Sequence, residues 1–204
     1  MTSLMQQALG EAWDQLPPSL RAHYLPGPTR DIGQLDVEYP AFMQPVLFAL
    51  SFLGALVRRR GKAVQTHVEK SVVGQRQCWR RTLIYADGET LHFNSMWELG
   101  PDGHVLEFVN AWLGLQMHPF VVDGQLHYCG IRFVVRVGRW ALPIPEWLAL
   151  GHTDIVERAI DAHHFAMDFR MTHPVFGQVY RYSGTFRANA EVAKASAAPC
   201  QPRQ

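Results

Sequence analysis

The segment "DAHHFAMDFRMTHP" (Asp161 to Pro174) packs three histidines and two aspartates into fourteen residues. Such side chains bind metals or move protons when they converge. Their spacing here works against convergence. In a strand, neighbouring side chains point to opposite faces. His163, Phe165, Met167, Phe169, Met171 and His173 then share one face, and His164, Ala166, Asp168, Arg170 and Thr172 share the other. His163 and His173 would lie about 33 Å apart at ~3.3 Å per residue, whereas zinc ligands converge at ~2.0–2.1 Å. The segment alone is no metal site, and no metal is expected. It reads as an amphipathic strand whose Phe/Met face either packs a core or lines a cavity for an apolar ligand.

Arg81 is the second chemical candidate. It shares a strand face with Trp79, Leu83 and Tyr85, so it points into an apolar wall, where an arginine needs a partner. Glu107, flanked on its face by Val105 and Val109, is the first choice, with Glu157 and Asp161 as others. Arg81 then either fixes strand register in a buried ion pair, anchors the carboxylate or phosphate of an otherwise apolar ligand, or is an exposed strand residue. Tyr180 and Tyr182 share a face with Phe176 and Phe186, an aromatic stripe that suits a barrel wall. Six further histidines (67, 92, 104, 118, 127 and 152) lie on separate strands or turns, and a cluster among them is not readable from spacing. No HExxH, GxSxG, GxGxxG or Walker-type loop is present, so catalytic residues stay unassigned.

These residues need elements to position them. Leu4, Ala8, Leu9, Ala12, Trp13 and Leu16 recur at helical spacing until "LPPSL" stops the helix, and Pro18 can open a second short turn through Tyr24. "PGPTRDIG" reads as a loop and "QLDVEY" as a short strand. "VLFALSFLGALVRRRGK" predicts an apolar helix over about 42–57. It is shorter than the roughly 20 apolar residues a membrane span needs, so it is expected to cover a core with its basic end outermost. From Ala63 the period becomes two, with Asp87-Gly88 and Asp123-Gly124 as hairpin signals. Strands are predicted near 104–110, 112–122, 125–137, 162–172 and 177–186. "RWALPIPEWLALG" should interrupt them, and "HTDIVERAID" suggests a short helix.

The expected fold is mainly β (α+β): a curved antiparallel meander or partly open barrel, calycin-like, with N-terminal helices packed on it. Residues 1–62 would supply the helices, 63–187 the sheet, and 188–204 a disordered tail. Nineteen basic against eighteen acidic residues give no case for nucleic acid. The start lacks a basic, apolar leader, and Cys78, Cys129 and Cys200 form no CxxC pair. Free thiols in the cytoplasm are the expectation.

"CWRRTLIYADGETLHFNS", "EFVNAWLGLQMHP", "RWALPIPEWLAL" and "HPVFGQVYRYSGTF" resemble a bacterial domain family of unknown function. Its members occur alone or fused behind NAD(P)-binding Rossmann domains of saccharopine-dehydrogenase or short-chain kind. The resemblance covers roughly residues 8–187 and is most specific at Trp79, Arg81, Phe93, Ser95, Glu107, Pro143, Pro145, Gly177, Tyr182 and Gly184. Leu83 and Val109 depart from the family's usual residues. The resemblance implies one domain, a cytoplasmic bacterial setting and a possible dehydrogenase partner.

The combined expectation is binding of a small apolar or amphipathic molecule, without a cofactor, by Trp79, Arg81, Phe93, Glu107, Phe165, Met167, Phe169, Met171 and Tyr182. The alternatives are an isomerase, cyclase or hydrolase with a His or Glu general base in the cavity, and a protein-interaction module.

Overall fold

Ser3 starts the first helix through a reciprocal capping box. Its hydroxyl accepts from the Gln6 N–H at 3.2 Å, and the Gln6 side chain accepts from the Ser3 N–H at 2.7 Å. The computed structural model, which describes residues 2–138 and 140–188, places α1 at Leu4–Leu9 and α2 at Pro18–His23, joined by a 3-10 stretch. Pro18 opens α2, where its missing N–H costs nothing.

Eleven strands follow: β1 Thr29–Glu38, β2 Gly61–Val73, β3 Arg76–Ile84, β4 Thr90–Leu99, β5 Val105–Phe108, β6 Leu113–Val122, β7 Gln125–Val137, β8 Trp140–Ile144, β9 His152–Ala159, β10 His164–His173 and β11 Gly177–Arg187. All pairings are antiparallel. β7 is long enough to serve three neighbours. It pairs with β6, its first half pairs with β9, and its second half pairs with β8. Because β1 also pairs with β11, ten strands close on themselves and β8 is an appended hairpin arm. The protein is a closed antiparallel β-barrel with a few short N-terminal helices. Closure leaves no long free edge in the ring.

Three differences from the sequence reading have physical causes. Residues 152–159 form a strand, not a helix. Thr153, Ile155 and Glu157 are buried on alternate positions, but two of these three are polar, which hid the two-residue period. The apolar helix is shorter than 42–57: α3 spans Gln44–Ser51. Gly54 ends it at φ +70°, with Gly54 N–H to Ser51 O at 3.2 Å and Ala55 N–H to Leu50 O at 3.1 Å, a Schellman termination. Met43 and Leu47 are buried beneath it, while Phe42, Phe48 and Phe52 stay exposed. The sheet also begins at Thr29, upstream of the boundary expected at 63.

Cys78 is disulfide-bonded, which corrects the free-thiol reading at that position, whereas Cys129 is a free thiol. The tail expected to be disordered lies, apart from Ala188, outside the described residues. Gly184 has a steric role: a Cβ there would fall 1.9 Å from Gln34 O, so only glycine lets β11 approach β1 this closely.

The helices close the two ends of the barrel. On β3, Trp79 packs against the rings of His23 and Tyr24 from the α2 end, while Tyr85, six positions on, donates to Arg59 O at 2.8 Å beyond α3. Six residues of strand span roughly 20 Å. Beyond α3, the Tyr180 hydroxyl donates to Val57 O and accepts from Val57 N–H, both at 3.1 Å.

Candidate functional site

Alternation on β3, β5 and β9 turns Trp79, Arg81, Glu107 and Glu157 inward, and α2 pushes His23 and Tyr24 into the same end of the barrel. Between them lies a cavity of about 30 Å³, room for about one or two waters. Its wall includes His23, Tyr24, Trp79, Arg81, Trp97, Glu107, Tyr128, Glu157, Phe165, Met167 and Tyr182.

Three polar units meet there. Arg81 donates to Ser95 Oγ at 2.8 Å and to Glu107 Oε1 at 3.3 Å, with Phe93 beneath its guanidinium at 5.0 Å. Tyr128 O–H donates to the Tyr24 oxygen at 2.5 Å, and the Tyr24 hydroxyl bridges both Glu157 oxygens at 2.8 and 2.9 Å. His23 Nδ1 bonds Asp31 Oδ2. His23 Nε2 has no hydrogen-bond partner among the described residues. Lys70 fastens the plug from below, its ammonium donating to His23 O and Leu25 O.

Burial dominates the proton affinities. It raises Glu157 above the usual carboxylate value, opposed by the charge of His23 and the Tyr24 hydrogen bond. It pushes the Tyr24 and Tyr128 phenols well up, helped by the Glu157 charge. It pulls Lys70 down to about 8, against the charge of Asp31. Two further donors stand out: the indole N–H groups of Trp79 and Trp97 are buried without a hydrogen-bond partner.

Of the residues expected from sequence, Trp79, Arg81, Glu107, Phe165, Met167 and Tyr182 line the cavity. Phe93, Phe169 and Met171 are buried but do not line it, Phe169 stacking on Tyr182 at 4.4 Å. His23, Tyr24, Trp97 and Tyr128 were not expected at the site, and Glu157 only as an alternative partner of Arg81. Glu157 carried a readable signal, an inward position once the strand is recognised; the others needed the tertiary fold. Of the opening histidines, His163 and His164 are exposed, and Asp161 binds both their backbone N–H groups. His104, His118, Phe120 and His127 form a row of ring contacts. A wider groove of about 500 Å³ opens near α3, between Tyr39, Phe48, Arg58 and Arg60. Its lining offers cations and rings but no histidine or thiol.

Fold and site together define a closed antiparallel β-barrel with a plugged, polar-centred interior. The chain belongs to the DUF4166 family, described as a domain of unknown function, which matches residues 16–186. Similar solved structures include lobster apocrustacyanin A1, at 12% identity and TM-score 0.36, the match covering 95% of this chain and 74% of that one. Apocrustacyanin C1 matches at 13% and 0.37, covering 95% and 74%, and apocrustacyanin C2 at 13% and 0.35, covering 94% and 73%. No curated protein matches the chain. Among the described residues, no helix is long and apolar enough to cross a membrane.

Proposed function

We propose that the chain binds a small apolar or amphipathic molecule inside the barrel, with α2 as the plug that moves to admit it. The observation that carries this reading is the gathering of Arg81, Glu107 and Glu157, with two unpartnered indole donors, around one cavity in an otherwise apolar interior. Sites for such ligands measure roughly 300–1,000 Å³, so the volume of about 30 Å³ belongs to a closed form. Withdrawing α2 would take the rings of His23 and Tyr24 out of the interior. The polar end of the ligand would meet Arg81 and Glu107; its apolar part would meet Trp79, Phe165, Met167 and Tyr182. Phe93 and Phe169 would support this wall, beneath Arg81 and against Tyr182.

Native mass spectrometry of the freshly purified chain tests this. The expected result is a small-molecule adduct that Arg81→Met fails to retain. A bare mass, together with no uptake of an apolar fluorescent probe by Tyr24→Ala, would overturn the reading.

One observation favours a second reading, proton-transfer chemistry of the isomerase, cyclase or hydrolase kind. His23 is held through Nδ1 by Asp31 and keeps Nε2 unpartnered, the arrangement of an oriented general base. His23→Gln would then abolish turnover of a retained molecule while leaving its retention intact. A dehydrogenase partner rests on the sequence resemblance, and a cytoplasmic setting on that resemblance together with the absence of a CxxC pair.

A further inference from the structure

Outside the barrel, Cys129 of β7 and Asp154 of β9 are cross-strand partners. His152, two residues before Asp154, faces the same way. Cys129 Sγ lies 3.6 Å from His152 Nε2, which lies 3.3 Å from Asp154 Oδ1, and the three ligand atoms fall within 4.8 Å of one another. A zinc ion ~2.3 Å from sulfur, ~2.05 Å from nitrogen and ~2.0 Å from oxygen, at tetrahedral angles, sets S···N at ~3.6 Å and N···O at ~3.3 Å. Both separations agree.

The other ring nitrogen, Nδ1, lies 2.5 Å from Glu146 Oε2. Such a carboxylate fixes the tautomer and orientation of a metal-bound imidazole. Glu146 is itself held in place. Its Oε1 accepts the Thr153 N–H at 3.3 Å, and it lies over Gly130, where a Cβ would come within 2.1 Å of Oε1. Arg170, the cross-strand neighbour of Asp154, pairs with Asp168 instead.

We infer that Cys129, His152 and Asp154 bind a divalent cation of the zinc class, with Glu146 positioning His152 and a fourth coordination position left open. The Cys–His–Glu order would also suit a thiol nucleophile. Cys129 Sγ and Asp154 Oδ1, however, both face the same imidazole nitrogen, Nε2, and so surround one point as ligands do. The site lies on the outer wall and is independent of the barrel interior.

The test uses the full chain stripped with EDTA and titrated with Zn²⁺ and Co²⁺. The expected result is one cation per chain, with tetrahedral d–d bands for cobalt and a sulfur-to-cobalt charge-transfer band. Cys129→Ser should remove that band and weaken zinc binding by about tenfold or more. Glu146→Gln should keep the band and weaken binding roughly 10–100-fold. Asp154→Asn serves as the second ligand variant if Cys129→Ser fails to fold. Substoichiometric binding, absence of the charge-transfer band in the wild-type chain, or an affinity unchanged by both ligand variants means an adventitious ion only, and overturns the site.

Discussion

The Tyr24 hydroxyl bridges both carboxylate oxygens of Glu157, at 2.8 and 2.9 Å, across 133 residues of sequence. Tyr24 follows the last residue of α2 and Glu157 sits inward on β9, so this contact ties the plug to the barrel wall. Tyr128 donates to the same phenol, which makes Tyr24 the hub of a buried network.

Tyr24→Phe removes the hub without emptying its space. Glu157 and Tyr128 each lose a buried partner, at a cost of about 1–3 kcal/mol. At about 2–4 °C per kcal/mol for a domain of this size, thermal melts should show the drop. An apolar fluorescent probe should enter Tyr24→Phe faster than the wild-type chain. Unchanged melting and unchanged uptake would show that the network does not hold α2.

Arg81 and Glu107 form a buried pair, their side chains 11% and 10% exposed. Arg81→Ala strands the carboxylate and should cost roughly 3–5 kcal/mol. The double change Arg81→Met with Glu107→Gln should recover most of that loss, because neither charge is left alone. A double variant as unstable as the single one would mean that lost packing against Trp79 and Phe93, not the charge, sets the cost.

Glu157 gives a pH signature. Its folded proton affinity lies above the ordinary carboxylate value of 4.5, so the folded state protonates first as pH falls. The stability it contributes is full below about pH 4.5 and is lost as pH rises through the folded value. Glu157→Gln keeps an acceptor for Tyr24 and does not ionise. Its melting temperature should therefore improve relative to wild type on going from about pH 4 to about pH 8. A constant difference across that range would refute the shift.

Lys70 acts in the alkaline range. Burial lowers it to about 8 from 10.5, so the unfolded chain binds the proton more tightly. Wild-type stability should rise as pH climbs from about 8 towards 10.5, once other groups are subtracted. Lys70→Met should flatten this rise and, by leaving His23 O and Leu25 O without their donor, cost about 1–3 kcal/mol near neutrality. Denaturant melts of both chains at three alkaline pH values check it.

Much of the architecture was legible because strand periodicity and turn chemistry are local. Asp87-Gly88 and Asp123-Gly124 turn where expected, the latter with both residues at positive φ, as a type I′ turn requires. The inward row Trp79, Arg81 and Leu83 followed from a two-residue period, and Glu107 from its apolar flanks. The same reasoning failed on β9, where Thr153 and Glu157 break the apolar pattern and the partner of Glu157, Tyr24, is supplied from elsewhere in the chain.

Closure of the ring and the identity of the site were decided only in three dimensions. β1 meets β11 and β7 meets β9 across long stretches of sequence, pairings that no local signal specifies. A local period says which way a side chain points; what it points at depends on elements far away in the chain. Arg81 could therefore be assigned inward from sequence, but its cavity, the His23–Asp31 pair and the Tyr24–Glu157 bridge exist only once α2 enters the barrel.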